Sequence, residues 1–216
     1  MNYGIILAAG NGVRLGIKDP IKPLVLVKNK PIFLHSLIVF TQNKNIDEIV
    51  LVVNKKYHNQ YLKYLTKFVK PIHVVDGSNV ARHLSLSLAV QFFQNEKHLQ
   101  SNDVIVTHDA ARINVSNELI NLSIQVAKKY GCASTVLPLY DSLCEINNKS
   151  VYLDRANKYL VQTPQTFQFK YWKNVSSSRT TTDLFTYLNL QVTKRNLVIG
   201  SWNNFKITNK KDLENL

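Results

Sequence analysis

Short continuous apolar runs punctuate the first half of the chain, and each is bounded by a turn signal. Residues 3–9 run into Gly10-Asn11-Gly12, 49–53 follow Asp47-Glu48, 71–75 stop at Asp76-Gly77, and 104–107 stop at His108-Asp109. Between them the apolar spacing turns helical. Phe33, Leu34, Leu37, Ile38 and Phe40 follow Pro31, which suits a first helical position, and Tyr57, Tyr61, Leu62, Leu65 and Phe68 form a second set. Further helices are predicted from about Val80 through Phe93 and over 119–126, before Gly131. Strands without polar alternation are buried on both faces, so this order predicts an α/β fold with a mostly parallel, Rossmann-like sheet between helical layers.

The second half reads differently. A strand at 133–137 is followed, over 139–160, by short polar-interrupted strands at 142–146 and 150–153 joined by Asn147-Asn148-Lys149, the pattern of a hairpin-like arm. Helices are predicted near 170–175 and 182–188, strands near 191–193 and 204–208, and a helical tail after them. With 216 residues and neither an internal repeat nor a low-complexity linker, the expectation is a single domain over 1–216 with the arm inside it.

Composition narrows the function classes. The chain is 45% hydrophobic and 19% charged, which excludes disordered and collagenous classes, and it has no apolar run long enough for a membrane span. Its first residues carry no early basic group and break at Gly10, so a secretory leader is not expected and the cytoplasm is. Lys and Arg number 27 against 14 Asp and Glu, a net charge of +13 that favours phosphate-bearing partners. The lysines are scattered rather than gathered in one tract, so a small phosphorylated substrate is expected in preference to nucleic acid. Cys132 and Cys144 lack zinc or redox spacing and read as reduced thiols.

The stretch most telling for chemistry is Leu7-Ala8-Ala9-Gly10-Asn11-Gly12-Val13-Arg14, with Lys22 downstream. Glycines at a strand end let backbone N–H groups approach phosphate oxygens, and small Ala8 and Ala9 leave room for a base and ribose. The spacing fits neither the dinucleotide fingerprint nor a Walker loop. It is the pair of cations, Arg14 and Lys22, that turns a glycine turn into a candidate nucleotide cradle. Asp109 ends a buried strand, where it can meet a ligand or cap the following segment, and His35 and His108 read as packed structural groups.

Taken with Val106-Thr107-His108-Asp109-Ala110-Ala111-Arg112, Asp154-Arg155, Gln162-Thr163-Pro164-Gln165-Thr166-Phe167, Thr182-Asp183 and Asn204-Phe205-Lys206-Ile207-Thr208, this loop resembles the polyol-phosphate cytidylyltransferases along essentially the whole chain. Two branches fit: the ribitol-5-phosphate enzymes and the 2-C-methyl-D-erythritol 4-phosphate enzymes of isoprenoid synthesis. The resemblance implies a nucleotidyltransferase fold whose β-arm exchanges between two subunits of a homodimer. It implies a reaction of CTP with a polyol phosphate to give a CDP-polyol and pyrophosphate, with Mg²⁺ on the triphosphate. Carried over, Arg14 and Lys22 hold the triphosphate, and Arg155 and Lys206 hold the polyol phosphate. Ala8, Ala9, Gly10 and Gly12 line the nucleotide, Gly77 and Ser85 contact cytosine and ribose, Asp109 faces ribose and metal, and Thr163 and Thr182 contact the substrate. The eight positions from Arg14 to Lys22 look more like the ribitol branch. A binding module without catalysis, or a pyrophosphorylase using another nucleotide and a sugar 1-phosphate, stands as the competing reading.

Overall fold

A computed structural model describes residues 1–17, 19–146, 150–174, 183–214 and 216. The strands in chain order are β1 (Asn2–Ala8), a short ribbon of β2 (Leu26–Val27) and β3 (Lys30–Pro31), β4 (Glu48–Asn54), β5 (Ile72–Gly77), β6 (Val104–Asp109), β7 (Cys132–Pro138), the hairpin β8 (Leu143–Ile146) and β9 (Ser150–Leu153), β10 (Tyr159–Gln168) and β11 (Leu197–Ile199). Seven of them form one sheet in the order β11-β7-β10-β6-β1-β4-β5. Neighbours are parallel except at β10, which runs antiparallel to β6 and β7.

Continuous apolar strands need cover on both sides, and helices supply it. On one face α1 (Ile32–Gln42), α2 (His58–Leu62) and α4 (Asn117–Tyr130) bring Phe33, Phe40, Tyr61, Ile120 and Ile124 onto Ile6, Leu51, Val53 and Val106. On the other, α3 (Arg82–Lys97) and α5 (Leu184–Tyr187) set Leu86, Phe93 and Phe185 against Tyr3, Ile5, Val50 and Ile105. Alternate residues of each strand serve the two cores, because successive strand side chains point to opposite faces. A last helix, α6 (Lys210–Glu214), forms the expected tail. Among the described residues no helix is long and apolar enough to cross a membrane.

Several elements differ from the expectation. The helical set at 57–68 is helix only to Leu62. Turns follow, because the chain has to reverse before Pro71 to start β5, while Leu65 and Phe68 still pack on the core. Strand β10 has no apolar signature: Gln162, Thr163, Gln165, Thr166 and Gln168 are buried polar residues with Pro164 among them. They are tolerated because neighbouring elements give their side chains partners. Gln162 donates to the Ser201 carbonyl at 3.0 Å, Gln165 to Asp183 Oδ2 at 3.0 Å, Thr166 to Ser123 at 2.9 Å and Gln168 to the Lys128 carbonyl at 3.0 Å.

No strand forms at 191–193. Thr193 instead caps a 3₁₀ turn at Lys194–Asn196, and the strand follows as β11. No strand forms at 204–208 either: Asn204 ends a 3₁₀ turn, and residues 205–208 lie outside the ladder, tied by Ile207 N–H to the Ala111 carbonyl at 2.9 Å. The helix expected near 170–175 is a 3₁₀ stretch, Phe169–Asn174. The turn at 147–149 and Thr182 lie outside the described residues.

Candidate active site

The sheet order reverses beside β1: the chain steps from β1 outward to β4 and β5, then returns to place β6 on the other side. Ligands of open α/β sheets bind at the carboxyl ends of strands at such a point. Here that position holds the Ala8-Ala9-Gly10 end of β1 and Asp109 at the end of β6, with Leu7 opposite Asp109 in register.

Side chains from neighbouring strands and helices fix the loop. The Tyr61 hydroxyl donates to the Ala8 carbonyl at 2.8 Å, and the Asn54 amide donates to the Asn11 Oδ1 at 2.8 Å. Gly12 has φ +70°, and a Cβ there would lie 2.3 Å from the Lys22 Cβ, so glycine is what lets the loop close over Lys22. A Cβ on Gly77 would lie 2.5 Å from Val52 and 2.6 Å from Ala9, so the loop from β5 to α3 can lie against the tip of β1. Ser85 secures that second loop by accepting from the Ser78 N–H at 3.0 Å and donating to the Ser78 carbonyl at 2.9 Å.

Between the two loops lies a cleft of about 200 Å³. Ala8, Ala9, Gly10, Lys22, Arg82, Ser85, Asp109 and Lys206 are among its lining residues. Asp109 divides its carboxylate between two cations: Arg82 Nε meets Oδ1 at 2.9 Å and Lys206 Nζ meets Oδ2 at 2.7 Å. Burial alone raises a carboxyl pKa, but here Arg82 and Lys206 outweigh it and hold Asp109 well below the usual range, so it stays an anion. Lys22 donates to the Ile207 carbonyl at 3.0 Å. Burial, and then the neighbouring Lys206 charge, push its pKa down to about 8.

Behind the cleft, Thr163 Oγ1 accepts from the Asp109 N–H at 3.1 Å and meets His108 Nδ1 at 3.0 Å, while His108 Nε2 meets the Arg112 carbonyl at 3.0 Å. Burial lowers the His108 pKa to about 4, so this ring is a neutral structural link. His35 is likewise structural, meeting the Val27 carbonyl at 2.9 Å.

The residues singled out by sequence fall into three groups. Ala8, Ala9, Gly10, Lys22, Ser85, Asp109 and Lys206 come together in the cleft, Gly12 and Gly77 shape its walls, and Thr163 supports its floor. Arg14 is exposed on a 3₁₀ turn, Val13–Leu15, outside the cleft lining. Arg155 is exposed after the hairpin, beside a separate depression, with Nη1 donating to the Tyr140 carbonyl. Asp183 caps α5 by accepting from Phe185 N–H at 3.0 Å, and Thr182 lies outside the described residues.

Sequence reasoning missed Arg82 as a site residue. Its available signal was position: a cation at the first residue of a helix opposes the macrodipole, so it needs a local anion. Arg112 was quoted only within its motif. Its side chain reaches back to donate to the Asn204 carbonyl at 2.9 Å, which braces the segment carrying Lys206.

A parallel sheet with a strand-tip cleft, a glycine loop and cations gathered around one carboxylate defines an α/β protein of the nucleotidyltransferase class. The family described as IspD: 2-C-methyl-D-erythritol 4-phosphate cytidylyltransferase matches residues 3–215, and the chain belongs to this family of cytidylyltransferases. It is 31% identical to a ribitol-5-phosphate cytidylyltransferase of Lactiplantibacillus plantarum, with 99% of this chain and 95% of that protein covered. It is 32% identical to a 2-C-methyl-D-erythritol 4-phosphate cytidylyltransferase of Thermosipho melanesiensis, with the same coverage. Among solved structures, the 4-diphosphocytidyl-2C-methyl-D-erythritol synthase of Anaerococcus prevotii superposes with a TM-score of 0.78 at 27% identity, over 99% of this chain and 93% of that one.

Proposed function

We propose that the chain transfers the cytidylyl group of CTP to ribitol 5-phosphate, giving CDP-ribitol and pyrophosphate. The observation that carries the chemistry is the placement of Lys22, Lys206 and Arg82 around the single carboxylate of Asp109 at the strand tips. Choice of acceptor is supported by the spacing of Arg14 and Lys22, which are eight apart, and by relatives named for ribitol 5-phosphate in Lactiplantibacillus plantarum and Streptococcus pneumoniae. Family membership itself favours a second reading, with 2-C-methyl-D-erythritol 4-phosphate as acceptor.

A phosphomonoester has a second pKa of ~6, so its attacking oxygen is already anionic at neutral pH and needs no enzymic base. That oxygen bonds to the α-phosphorus of CTP as the bond to the β-phosphate oxygen breaks, and pyrophosphate leaves with the electron pair. The barrier is repulsion between two anions, so fixed cations and in-line placement are the catalysts. In this reading Lys22 and Arg14 hold the triphosphate and stabilise the charge that builds on the α-phosphate. Lys206 and Arg155 hold the acceptor phosphate. Backbone groups of Ala8, Ala9, Gly10 and the Gly77 loop enclose cytosine and ribose.

Magnesium fits this cleft as an ion carried by the triphosphate. Among the described residues no three His, Cys, Asp or Glu side chains gather to hold a metal, and Mg²⁺ is commonly held by one or two carboxylates plus substrate phosphates. Asp109 would be its protein ligand, and the ion would neutralise triphosphate charge.

The β8–β9 hairpin supports assembly. An isolated two-stranded hairpin is marginal in water, and this one exposes Ile146, Val151 and Tyr152. Exchange of the arm in a homodimer would bury them and carry Arg155 to a neighbouring cleft. Phosphorylated, water-soluble substrates support a cytoplasmic location for such an enzyme.

Purified protein supplied with CTP, Mg²⁺ and each polyol phosphate tests the reading by pyrophosphate release. Turnover with ribitol 5-phosphate supports it, selective turnover of 2-C-methyl-D-erythritol 4-phosphate reverses the acceptor, and no release with either defeats it. A pH dependence is also expected. Free Lys22 loses its proton near pH 8, and a bound triphosphate favours the charged amine, so CTP affinity should fall as pH rises through about 8. Binding at that pH should take up a proton, visible as buffer-dependent heat in titration calorimetry. Equal heats in buffers of different ionisation enthalpy would remove Lys22 from the triphosphate site.

A further inference from the structure

An acceptor phosphate has to compete with Asp109 for the charge of Lys206, whose ammonium meets the carboxylate at 2.7 Å. The other oxygen of the same carboxylate is held by Arg82 at 2.9 Å. We infer that Arg82 is a positioning residue: by sharing Asp109 with Lys206, it keeps the carboxylate in place and lets Lys206 pass to the phosphate of the acceptor substrate. This rests on the proposed acceptor chemistry and adds to it a residue that acts through two others.

Two features show that Arg82 is kept in an unfavourable place for this contact. It opens α3, where the helix dipole disfavours a cation. Its Nη2 is buried without an acceptor among the described residues, a destabilising condition for any N–H donor. Among the described residues Asp109 is the one ion-pair partner of Arg82, and Arg82 and Lys206 both line the cleft.

The electrostatic consequence follows from the arrangement. With Arg82 present, Asp109 remains compensated after Lys206 turns to a phosphate. Without Arg82, Lys206 would be the one cation among the described residues still in direct contact with a buried carboxylate, and drawing it away would leave that carboxylate without a contacting cation. The acceptor phosphate would then compete directly with Asp109 for one amine.

Binding and turnover are measured separately on Arg82→Gln, Arg82→Lys and the double variant with Lys206→Gln. The acceptor probe is whichever polyol phosphate the wild type turns over, or inorganic phosphate if it turns over neither. Arg82→Gln is expected to weaken acceptor binding about tenfold or more, with CTP affinity held within about threefold. Arg82→Lys should recover most of the loss, because it restores a cation beside Asp109. In the Lys206→Gln background, Arg82→Gln should add less than about twofold, since the residue through which it acts is gone.

Equal weakening of CTP, a full Arg82→Gln effect without Lys206, or no recovery by lysine would each overturn the inference. Should Arg82→Gln fail to fold, Arg82→Lys decides on its own. Acceptor binding within about threefold of the wild type supports the handover, and a loss of about tenfold in acceptor binding refutes it. Failure of the wild type to release pyrophosphate would defeat the proposed reaction, while the phosphate titrations would still decide the role of Arg82.

Discussion

Lys22→Gln is expected to lower kcat for pyrophosphate release by about 10²- to 10³-fold, the range found when one preorganised donor to developing charge is removed. The reason is position rather than charge in general. Gly12 closes over the Lys22 side chain, the Ile207 carbonyl receives its ammonium at 3.0 Å, and the surrounding protein lowers its pKa to about 8. A half-buried, oriented cation interacts with a phosphate more strongly than the exposed lysines that contribute to the +13 charge.

The same burial fixes the sign of a second readout. Below pH 8 Lys22 is charged in both folded and unfolded chains, and the folded state carries the full penalty of burying that charge. The penalty fades as pH rises from about 8 toward the ordinary value of 10.5, where both states are neutral. Lys22→Gln should therefore melt at the same temperature as the wild type or higher at neutral pH, while turnover collapses. Calorimetry and pyrophosphate release on one preparation check both, and wild-type kcat in the variant would exclude Lys22 from the mechanism.

Arg155→Ala should reduce kcat by about 10²-fold, as expected for loss of one cation at an associating pair of anions. Within its own chain Arg155 is exposed and apart from the cleft, so the effect requires a neighbour. That gives a sharper experiment than the single variant. If the arm supplies Arg155 across a two-fold axis, Lys22→Gln and Arg155→Ala protomers co-assembled at equal amounts should regain activity. Random pairing makes half the dimers mixed, and each mixed dimer keeps one intact site, so about a quarter of wild-type turnover is expected. No recovery from mixed dimers would show that both residues act on the cleft of the same chain, or that Arg155 does not act at all.

The parts of this molecule legible from sequence are those where one physical effect dominates. β1, β4, β5 and β6 are continuous apolar runs because helices cover both faces, and no other element produces that pattern at that length. α4 was legible in its middle, but its start depends on the Ser116 cap, whose hydroxyl accepts from the Leu119 N–H at 3.2 Å. β10 was invisible because its buried face is polar. Its threonines and glutamines are stable there through partners that other elements bring, among them Asp183, Ser123 and the Lys128 carbonyl.

The site divides along the same line. The glycine loop, Lys22 and Asp109 were found as residue types in suggestive places, since glycines before a cation and an acid at a strand end carry their own chemistry, whereas Lys206 was reached only through the family resemblance. Arg82 was not found, because a lone arginine at the start of a helix has meaning only when an anion stands opposite it. That anion lies 27 positions along the chain, on another strand.

Sequence by itself determined the α/β layering, the strand ends at which chemistry sits, and the stock of cations available to an anionic ligand. These follow from local patterns of burial, turn chemistry and charge. Only the tertiary structure decided that Asp109 is divided between Arg82 and Lys206, that Lys22 is half-buried with its ammonium on the Ile207 carbonyl, and that Arg155 stands away from the cleft of its own chain. Each of these depends on where groups far apart in the chain come to lie, and the assembly of the sheet with its covering helices rather than any neighbouring residue puts them there.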